Sequence, residues 1–284
     1  MLIAQISDIH LRAEGSLAYG VADTAARLKR TVEHLNRMQP QPDVVLATGD
    51  LVDDGDPRAY EHLRRLLAPL QPPLFLLPGN HDHKPSLIKA FPEHSYLTWP
   101  VEEHGRQYFC YAVETFPLRL ACLDTVTPGD HGGGLGPRQL YWLDLALSAQ
   151  PQAPAVVCMH HAPFASGIGH MDAEPFKGQE ELARIIARHP QVERILCGHL
   201  HRAVFRRFAG TIAAACPGIG MQLSLDLRPD APSTFVMEPP ALMLHAWNDS
   251  WGQPPALLTH VSLVEDAPGQ YSGPHPFFDV VSPR

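Results

Sequence analysis

The sequence predicts an α/β fold with a largely parallel inner sheet. Short apolar runs alternate with amphipathic helical patterns over the first 200 residues, an alternation typical of βαβ units with parallel strands. Hydrophobic residues make up 45% of the chain and charged residues 18%, which indicates a globular rather than a disordered protein. The 284 residues suffice for one large domain, or for one domain with an appendage.

The predicted elements follow one another in chain order. Asp23 is expected to cap the first helix, and Pro57 stands at a first-turn position of the second. Apolar runs predict strands, and apolar positions at helical spacing predict helices. The strands are expected at 2–7, 43–50, 74–80, 107–113, 117–123, 153–161 and 194–199, and the helices at 23–38, 57–70, 136–148 and 177–188.

The C-terminal part of the chain has a different pattern. Residues 203–225 hold strand-like pieces close together, which predicts added antiparallel strands. Residues 226–284 are rich in proline and are interpreted as a hairpin or arm, packed on a main domain over residues 1–225 or on a neighbouring subunit. Aromatic residues in this arm favour a subunit contact, and hence a homo-oligomer, a dimer or larger: Trp247, Trp251, Phe277 and Phe278.

Charge and cysteine usage exclude several classes of protein. The net charge is −8 and no basic run exceeds two residues, which disfavours a nucleic acid polymer as partner. No apolar stretch approaches the length of a membrane span, and the N-terminus "MLIAQISD" lacks the basic region of a signal peptide. The five cysteines form no CxxC pair and are expected as reduced, buried thiols. A cytoplasmic location without membrane contact is therefore expected.

Metal-capable side chains follow five of the predicted strands, at the point where each strand ends. The carboxyl ends of parallel strands lie along one edge of a sheet, where ligands bind. A lone aspartate after a strand is most often a turn former, but five polar strand ends in order disfavour that interpretation. The residues are Asp8 and His10, then Asp50, then Asn80, His81 and Asp82, then His160 and His161, and finally His199 and His201.

The types of these side chains indicate the chemistry. Imidazole, carboxylate and one amide oxygen suit iron, manganese, zinc or cobalt, and no cysteine takes part. Roughly eight such ligands exceed what one tetrahedral ion accepts, so two divalent ions that share a bridging carboxylate fit better. Paired ions are a recurring device for displacement at phosphorus, in which a metal-bridging hydroxide attacks in line.

The ordered motifs "DIH…GD…GNHD…HH…GHLH" resemble the calcineurin-like metallophosphoesterase superfamily. Wider stretches, including "AQISDIHLR", "LPGNHD" and "CGHLHR", are similar to class III cyclic-nucleotide phosphodiesterases and to bacterial glycerophosphodiester phosphodiesterases. The resemblance implies a four-layer α/β/β/α sandwich of two mixed sheets flanked by helices, with residues 1–225 as the catalytic domain. It also implies a dinuclear-metal phosphodiesterase that acts on small diesters of cyclic nucleotide or glycerophosphodiester type.

The resemblance further implies a role for each motif residue. His81 would contact the substrate and stabilise charge or protonate the leaving alkoxide, and Asp82 would orient its ring. Asp50 would bridge the two metals. The other ligands would be Asp8, His10 and His201 for the first metal, and Asn80, His160 and His199 for the second.

Residues beside the motifs have more than one interpretation. His161 is expected to support the site or to pack. His161, His170, in the loop over 166–176, and Arg12 are also candidates for substrate contact. His83 is expected to face solvent. Met221 stands where some glycerophosphodiester enzymes have a histidine, which weakens the expectation of a glycerol headgroup. The acidic residues before Pro57 are interpreted as a turn and a helix cap: Asp53, Asp54 and Asp56.

Two alternative functions remain open at this point. A phosphomonoesterase or phosphonate monoester hydrolase would use the same metals but would favour extra cationic groups for a dianionic substrate. Only Arg12, Lys84 and Arg202 lie near the motifs, which favours monoanionic diesters. A non-catalytic metal-binding scaffold is disfavoured because every expected ligand position, and His81, is filled.

Overall fold

The computed structural model describes residues 1–98, 100–248 and 255–275 of the chain. Its strands are β1 Leu2–Ile6, β2 Val44–Thr48, β3 Leu74–Leu77, β4 Pro100–Glu103, β5 Arg106–Val113, β6 Arg119–Leu123, β7 Ala155–Met159, β8 Val192–Cys197, β9 Val204–Phe208, β10 Thr211–Ala215, β11 Gln222–Leu223, β12 Phe235–Val236, β13 Ala241–Asn248 and β14 Ala256–Leu263. Its helices are α1 Thr24–Arg37, α2 Pro57–Leu67, α3 Lys84–Ala90, α4 Pro137–Ser148, α5 Gly169–Asp172 and α6 Gln179–Arg188, with a 3₁₀ helix at Ser95–Thr98.

The strands form two mixed sheets and a small β11–β12 ribbon. The first sheet has the order β14-β13-β1-β2-β3, and the second has the order β4-β5-β6-β7-β8-β10-β9. Strands β1, β2 and β3 pair in parallel, as do β6, β7, β8 and β10, which confirms the parallel pairing that the strand–helix alternation predicts. The antiparallel strands lie outside these parallel groups, and β9 pairs antiparallel with β10 as expected for residues 203–225.

Apolar side chains divide the molecule into four layers. Alternate residues of a strand point to opposite faces, so Ile3 and Leu46 enter the core between the two sheets. On the outer face of the first sheet, Ala4 and Val45 pack with residues of α1 and α2. A third core lies between the second sheet and helices α4 and α6. The order of layers is therefore α/β/β/α, and the expected sandwich is confirmed.

Local sequence explains where the first two helices begin. Asp23 caps α1 as predicted, since its carboxylate accepts a hydrogen bond from the Ala26 amide at 3.0 Å. Asp56 caps α2 in the same way, accepting from Arg58 N at 2.9 Å, and Pro57 occupies the first turn. All five cysteines are buried and free, as predicted.

The proline-rich C-terminal part contributes a hairpin to the first sheet. Strand β13 pairs antiparallel with β1, with Gln5 opposite Met243, and β14 pairs with β13. Trp247 packs partly buried against the core between the sheets, whereas Trp251, Phe277 and Phe278 lie outside the described residues. In the described part of the chain, no helix combines the length and apolar character needed to cross a membrane.

Candidate metal centre and its cleft

Five parallel strands from the two sheets end at one place in the molecule. The residues that follow β1, β2 and β3 meet those that follow β7 and β8, and residues from four of these five strand ends line a cleft of about 490 Å³. Backbone hydrogen bonds fix this junction: Asp8 N donates to Gly49 O at 3.1 Å, and Gly198 N donates to His160 O at 2.8 Å. The structure thus brings together the polar residues of all five strand ends.

The chain turns sharply as it leaves these strands. Five of the expected ligands have a positive φ, a backbone region that residues other than glycine rarely adopt. Such strained conformations persist where the surrounding fold enforces them, and they cluster at functional sites. The φ angles are 53° at Asp8, 48° at His10, 49° at Asp50, 68° at His199 and 50° at His201.

Asp50 occupies the middle of the centre. Its Oδ2 atom lies 3.5 Å from His10 Nε2 and 3.4 Å from His160 Nε2, while its Oδ1 accepts a hydrogen bond from the His81 amide at 2.9 Å. Close backbone approach makes this possible, because a Cβ at Gly79 would overlap the Asp50 carboxylate. A single carboxylate therefore touches donor groups from both halves of the site, as a bridging ligand must.

Second partners fix the orientation of the imidazole rings. His160 Nδ1 donates to the Thr48 carbonyl at 2.7 Å, and His201 Nδ1 donates to the Met221 carbonyl at 2.9 Å. A carbonyl oxygen only accepts, so Nδ1 carries a proton in both rings, and Nε2, which lies in the cluster, is the nitrogen left to bind a metal. Histidine ligands of metals are held in this manner.

The converging donor atoms fit divalent cations. Potential ligand atoms of Asp8, His10, Asp50 and His201 lie within 4.8 Å of one another, and so do those of His160, His161 and His199. Asn80 Oδ1 lies 3.2 Å from His160 Nε2. His10 Nε2 and His201 Nε2 are 3.2 Å apart, and two facing nitrogen lone pairs at this separation repel unless a proton or a cation lies between them.

The charges of the centre favour a cation for a second reason. Burial raises the pKa of Asp8 to about 6. Burial alone would lower the pKa of His160, but Asp50 and Asp8 outweigh it and raise this pKa to about 9. The same electric field that favours a proton on His160 favours a divalent ion between the two carboxylates.

Three other imidazoles are kept neutral. Burial lowers the pKa of His201 to about 4, and it lowers the pKa values of His161 and His199 well below the usual range. Neutral imidazole is the form that binds a metal. The His161 ring is fully buried, with Nδ1 2.8 Å from Thr125 Oγ1, and its Nε2 has no hydrogen-bond partner in the described part of the chain.

Asp82 does not make the expected contact with the His81 ring. His81 Nδ1 instead donates to the Asp53 carbonyl at 2.7 Å. The Asp82 carboxylate accepts hydrogen bonds from Leu51 N, Val52 N, Gly79 N and the Tyr60 hydroxyl, at 2.8 to 3.3 Å. The prediction that Asp82 orients the His81 ring is therefore wrong, since this carboxylate ties together the two loops that carry Asp50 and His81.

Asp53 and Arg12 also differ from the sequence interpretation. Asp53 is not a turn former alone: its Oδ1 lies 3.1 Å from His10 Nδ1. Arg12 does not line the cleft, because its guanidinium binds Asp53 at 2.7 Å and Asp54 at 2.8 Å. The expectation of an Arg12–substrate contact is thus replaced by a chain of contacts from Arg12 through Asp53 to His10.

The walls of the cleft come from later loops. His170, Met171 and Glu174 line one part, and neither ring nitrogen of His170 has a hydrogen-bond partner among the described residues. Tyr19 and Phe235 line another part. His83 lies away from the cleft lining, at the start of α3, with Nδ1 2.7 Å from Ser86 Oγ.

The four-layer sandwich and a histidine–carboxylate centre at its strand ends define a metallophosphoesterase. The chain belongs to the calcineurin-like phosphoesterase family, whose model matches residues 1–203. The resemblance seen in the sequence is thereby confirmed.

Curated relatives and solved structures agree with this assignment. The chain is 34% identical over 280 residues to a probable glycerophosphodiester phosphodiesterase of Arcobacter nitrofigilis, covering 98% of this chain and 97% of the relative. It is 32% identical over 224 residues to a 3′,5′-cyclic adenosine monophosphate phosphodiesterase of Pseudomonas aeruginosa, covering 79% of this chain and 78% of that one. A dimetal phosphatase of Danio rerio shares the fold, with a TM-score of 0.61 at 15% identity over 91% of this chain and 98% of that one. The expected metal-dependent phosphodiesterase is confirmed at the level of the family and these relatives.

Proposed function

We propose that this protein hydrolyses small, monoanionic phosphodiesters at a dinuclear metal centre. The two ions would be iron, manganese, zinc or cobalt, since the donors are imidazole, carboxylate and amide. Asp50 would bridge the ions. The remaining ligands would be Asp8, His10 and His201 on one side, and Asn80, His160 and His199 on the other.

The charge of the cleft lining supports a diester over a monoester. Among the described residues that line the cleft, none is lysine or arginine. A monoester carries about two negative charges at neutral pH, whereas a diester carries one. A site for a dianion would benefit from a guanidinium or ammonium clamp, and the lining offers histidines instead.

The three cations nearest to the motifs are engaged elsewhere. Arg12 binds Asp53, as described above. Lys84 binds the buried Asp124 at 2.5 Å, and Arg202 binds Glu238 at 3.0 Å. Asp124 is fully buried, so a movement of Lys84 towards a phosphate would leave a buried carboxylate unpaired. Arg12 and Arg202 also have carboxylate partners, and neither lines the cleft.

Side chains of this protein would bind and orient the substrate. Bound divalent ions would supply Lewis acidity towards phosphoryl oxygens and would lower the pKa of a coordinated water. His81 lines the cleft, and because its Nδ1 is held by the Asp53 carbonyl, its Nε2 is the ring nitrogen left for the substrate or the leaving oxygen. The unpaired ring nitrogens of His170 support a second contact to a polar group of the substrate. His161, buried beside His199, is proposed to support the ligands.

A panel of metals and substrates tests this proposal. Protein loaded with Mn²⁺ or Fe²⁺ is expected to hydrolyse bis(p-nitrophenyl) phosphate with a higher kcat/KM than p-nitrophenyl phosphate. Hydrolysis of the monoester without hydrolysis of the diester would make the protein a phosphomonoesterase. The homo-oligomer, the cytoplasmic location and the domain boundary at residue 225 stay predictions from the sequence.

A further inference from the structure

Tyr19 stands at an unfavourable position in a tight turn. Ala18 and Ala22 exchange two backbone hydrogen bonds of 2.9 Å, and Val21 N donates to Ala18 O at 3.0 Å. Tyr19 and Gly20 are the central residues of this turn, with φ of 51° and 70°. Turns with positive φ at both central positions prefer Asn-Gly or Gly-Gly, so a bulky tyrosine at the first position is strained.

The Tyr19 ring does not compensate for this strain by burial in a core. Tyr19 is 53% exposed, although the alanines at the base of its turn are fully buried. The exposed ring lines the cleft, at a centroid distance of 6.4 Å from the His10 ring. A strained backbone that places an exposed aromatic ring beside a metal centre indicates a role in binding rather than in folding.

A second aromatic ring reaches the same place from a distant part of the chain. Phe235 lies on β12, which pairs with β11 immediately after Met221. Its ring centroid is 5.4 Å from that of Tyr19, with an interplanar angle of 43°, and it lines the same cleft. Tyr19 and Phe235 together are called the aromatic clamp below.

The aromatic clamp differs in character from other residues that line the cleft. Leu223 pairs with Phe235 across the β11–β12 ribbon, whereas His131, His170 and Glu174 bring polar groups to the lining. A phosphodiester has two ester arms, and a cleft lined by both aromatic and polar side chains can distinguish them. Flat rings stack on aromatic side chains, a contact that hydroxylated or aliphatic arms cannot make.

We infer that the aromatic clamp determines substrate specificity by binding a planar ester arm, such as an aryl group or a nucleobase, of the diester. This inference rests on the proposed function. Phosphodiesters with a planar arm would then be preferred over glycerol-type diesters, whose arms would gain nothing from Tyr19 and Phe235.

Matched substrates and product-like probes test the aromatic clamp. In the metal-loaded full chain, Phe235→Ala and Tyr19→Asn are expected to raise the KM for bis(p-nitrophenyl) phosphate about tenfold. Calorimetry should show a similar weakening, about tenfold, of adenosine 5′-monophosphate binding. The KM for glycerophosphoethanolamine and the Kd for glycerol 3-phosphate are expected to stay within about twofold, because neither compound has a planar arm.

Further variants separate stacking from structural damage. Tyr19→Asn places a preferred residue in the turn, so its melting temperature should equal or exceed that of the wild type. Phe235→Tyr should retain the planar-arm preference and Phe235→Leu should lose it. Tyr19→Phe should also retain it, which separates the ring from the hydroxyl near Asp53. Tyr141→Ala is a control, since Tyr141 is 65% exposed on α4, outside the cleft lining.

The outcomes distinguish the inference from the proposed function. Equal losses for planar and glycerol compounds would overturn the aromatic clamp while diester hydrolysis stands. Selective loss of adenosine 5′-monophosphate binding, without hydrolysis of any diester by the wild type, would support the clamp and overturn the proposed function. Unchanged binding of adenosine 5′-monophosphate in both variants would overturn the clamp by itself.

Discussion

The Asp53 carboxylate lies 3.1 Å from His10 Nδ1 and 2.7 Å from the Arg12 guanidinium. Burial alone would raise the pKa of Asp53, but the hydrogen bonds from His10 and Arg12 outweigh it and lower this pKa. The carboxylate therefore stays ionised and holds a proton on His10 Nδ1. The lone pair of His10 is thereby on Nε2, the atom that faces Asp50 and His201.

Replacing Asp53 should weaken metal binding without removing a ligand. Asp53→Ala is expected to lower the affinity for the first metal about 10- to 100-fold, as loss of such an outer partner of a histidine ligand usually does. Metal retained against a chelator series measures this. Asp54→Ala is the matched control, because Asp54 also binds Arg12 but has no contact with His10 among the described residues. Equal losses in the two variants would contradict the prediction.

Replacing Asp82 should destabilise the fold. Asp82→Asn puts an amide where the carboxylate accepts four hydrogen bonds, and we expect a loss of about 3 kcal/mol in the free energy of unfolding. Urea unfolding measures the loss. Tyr60→Phe deletes one of those bonds and the bond that the Tyr60 hydroxyl accepts from His83 N, so it should cost about 1 to 2 kcal/mol. An unfolding midpoint unchanged in Asp82→Asn would show that this carboxylate does not hold the loops.

Neighbouring residues of one loop should separate metal binding from turnover. His81→Ala is expected to keep two bound metals and to reduce kcat about 100-fold or more, because His81 lines the cleft without a place among the proposed ligands. Asn80→Ala should weaken only one of the two metals. Metal content by mass spectrometry, with kcat at saturating metal, distinguishes the two outcomes. Loss of metal in His81→Ala would make that histidine a ligand.

The bridging position gives the most severe variant. Asp50→Ala removes the carboxylate that lies beside imidazoles of both halves of the centre, so both metal occupancy and turnover should fall to background. The unfolding transition monitors whether the variant is folded. A folded variant that retains wild-type turnover would exclude the dinuclear mechanism.

The sequence predicted the position of the metal centre better than it predicted the contacts that hold the ligands in place. The strand ends can be located from the sequence alone, because each apolar run stops just before a metal-capable residue. The contact from Asp53 to His10 joins residues 43 apart, and local turn chemistry explains Asp53 without it. Asp82 likewise accepts a hydrogen bond from Tyr60 of α2, and nothing in the local sequence around Asp82 indicates that this helix lies beside it.

The sequence did not reveal the aromatic clamp, for a similar reason. Tyr19 and Phe235 are far apart in the chain and meet only through the turn at residues 18–22 and the β11–β12 ribbon. The dipeptide Tyr19-Gly20 was the available signal, because a glycine at the second central position of a tight turn is typical of turns in which both central residues have positive φ. Without the structure, nothing links that turn to a ligand.

A buried polar network joins the C-terminal hairpin to both sheets. His245 of β13 has Nε2 3.0 Å from Gln5 Oε1 and Nδ1 2.9 Å from Thr259 Oγ1 of β14. Gln5 Nε2 in turn donates to the Cys197 carbonyl of β8, in the second sheet, at 2.8 Å. Burial, with a smaller contribution from Arg194, lowers the pKa of His245 to about 3.

This network should make stability depend on pH. Above about pH 6.5, His245 is neutral in the folded and the unfolded chain. Below that pH, His245 binds a proton in the unfolded chain but stays neutral in the folded chain. The free energy of unfolding therefore falls as the pH drops from about 6.5 towards 3. The contribution of this residue to the fall is about 2 kcal/mol at pH 5. His245→Gln cannot titrate and should lose less stability than the wild type between pH 7 and pH 5 in urea unfolding. His260→Gln, at an exposed histidine of β14, should retain the wild-type dependence. An equal loss in the wild type and His245→Gln would mean that His245 does not set this part of the acid sensitivity.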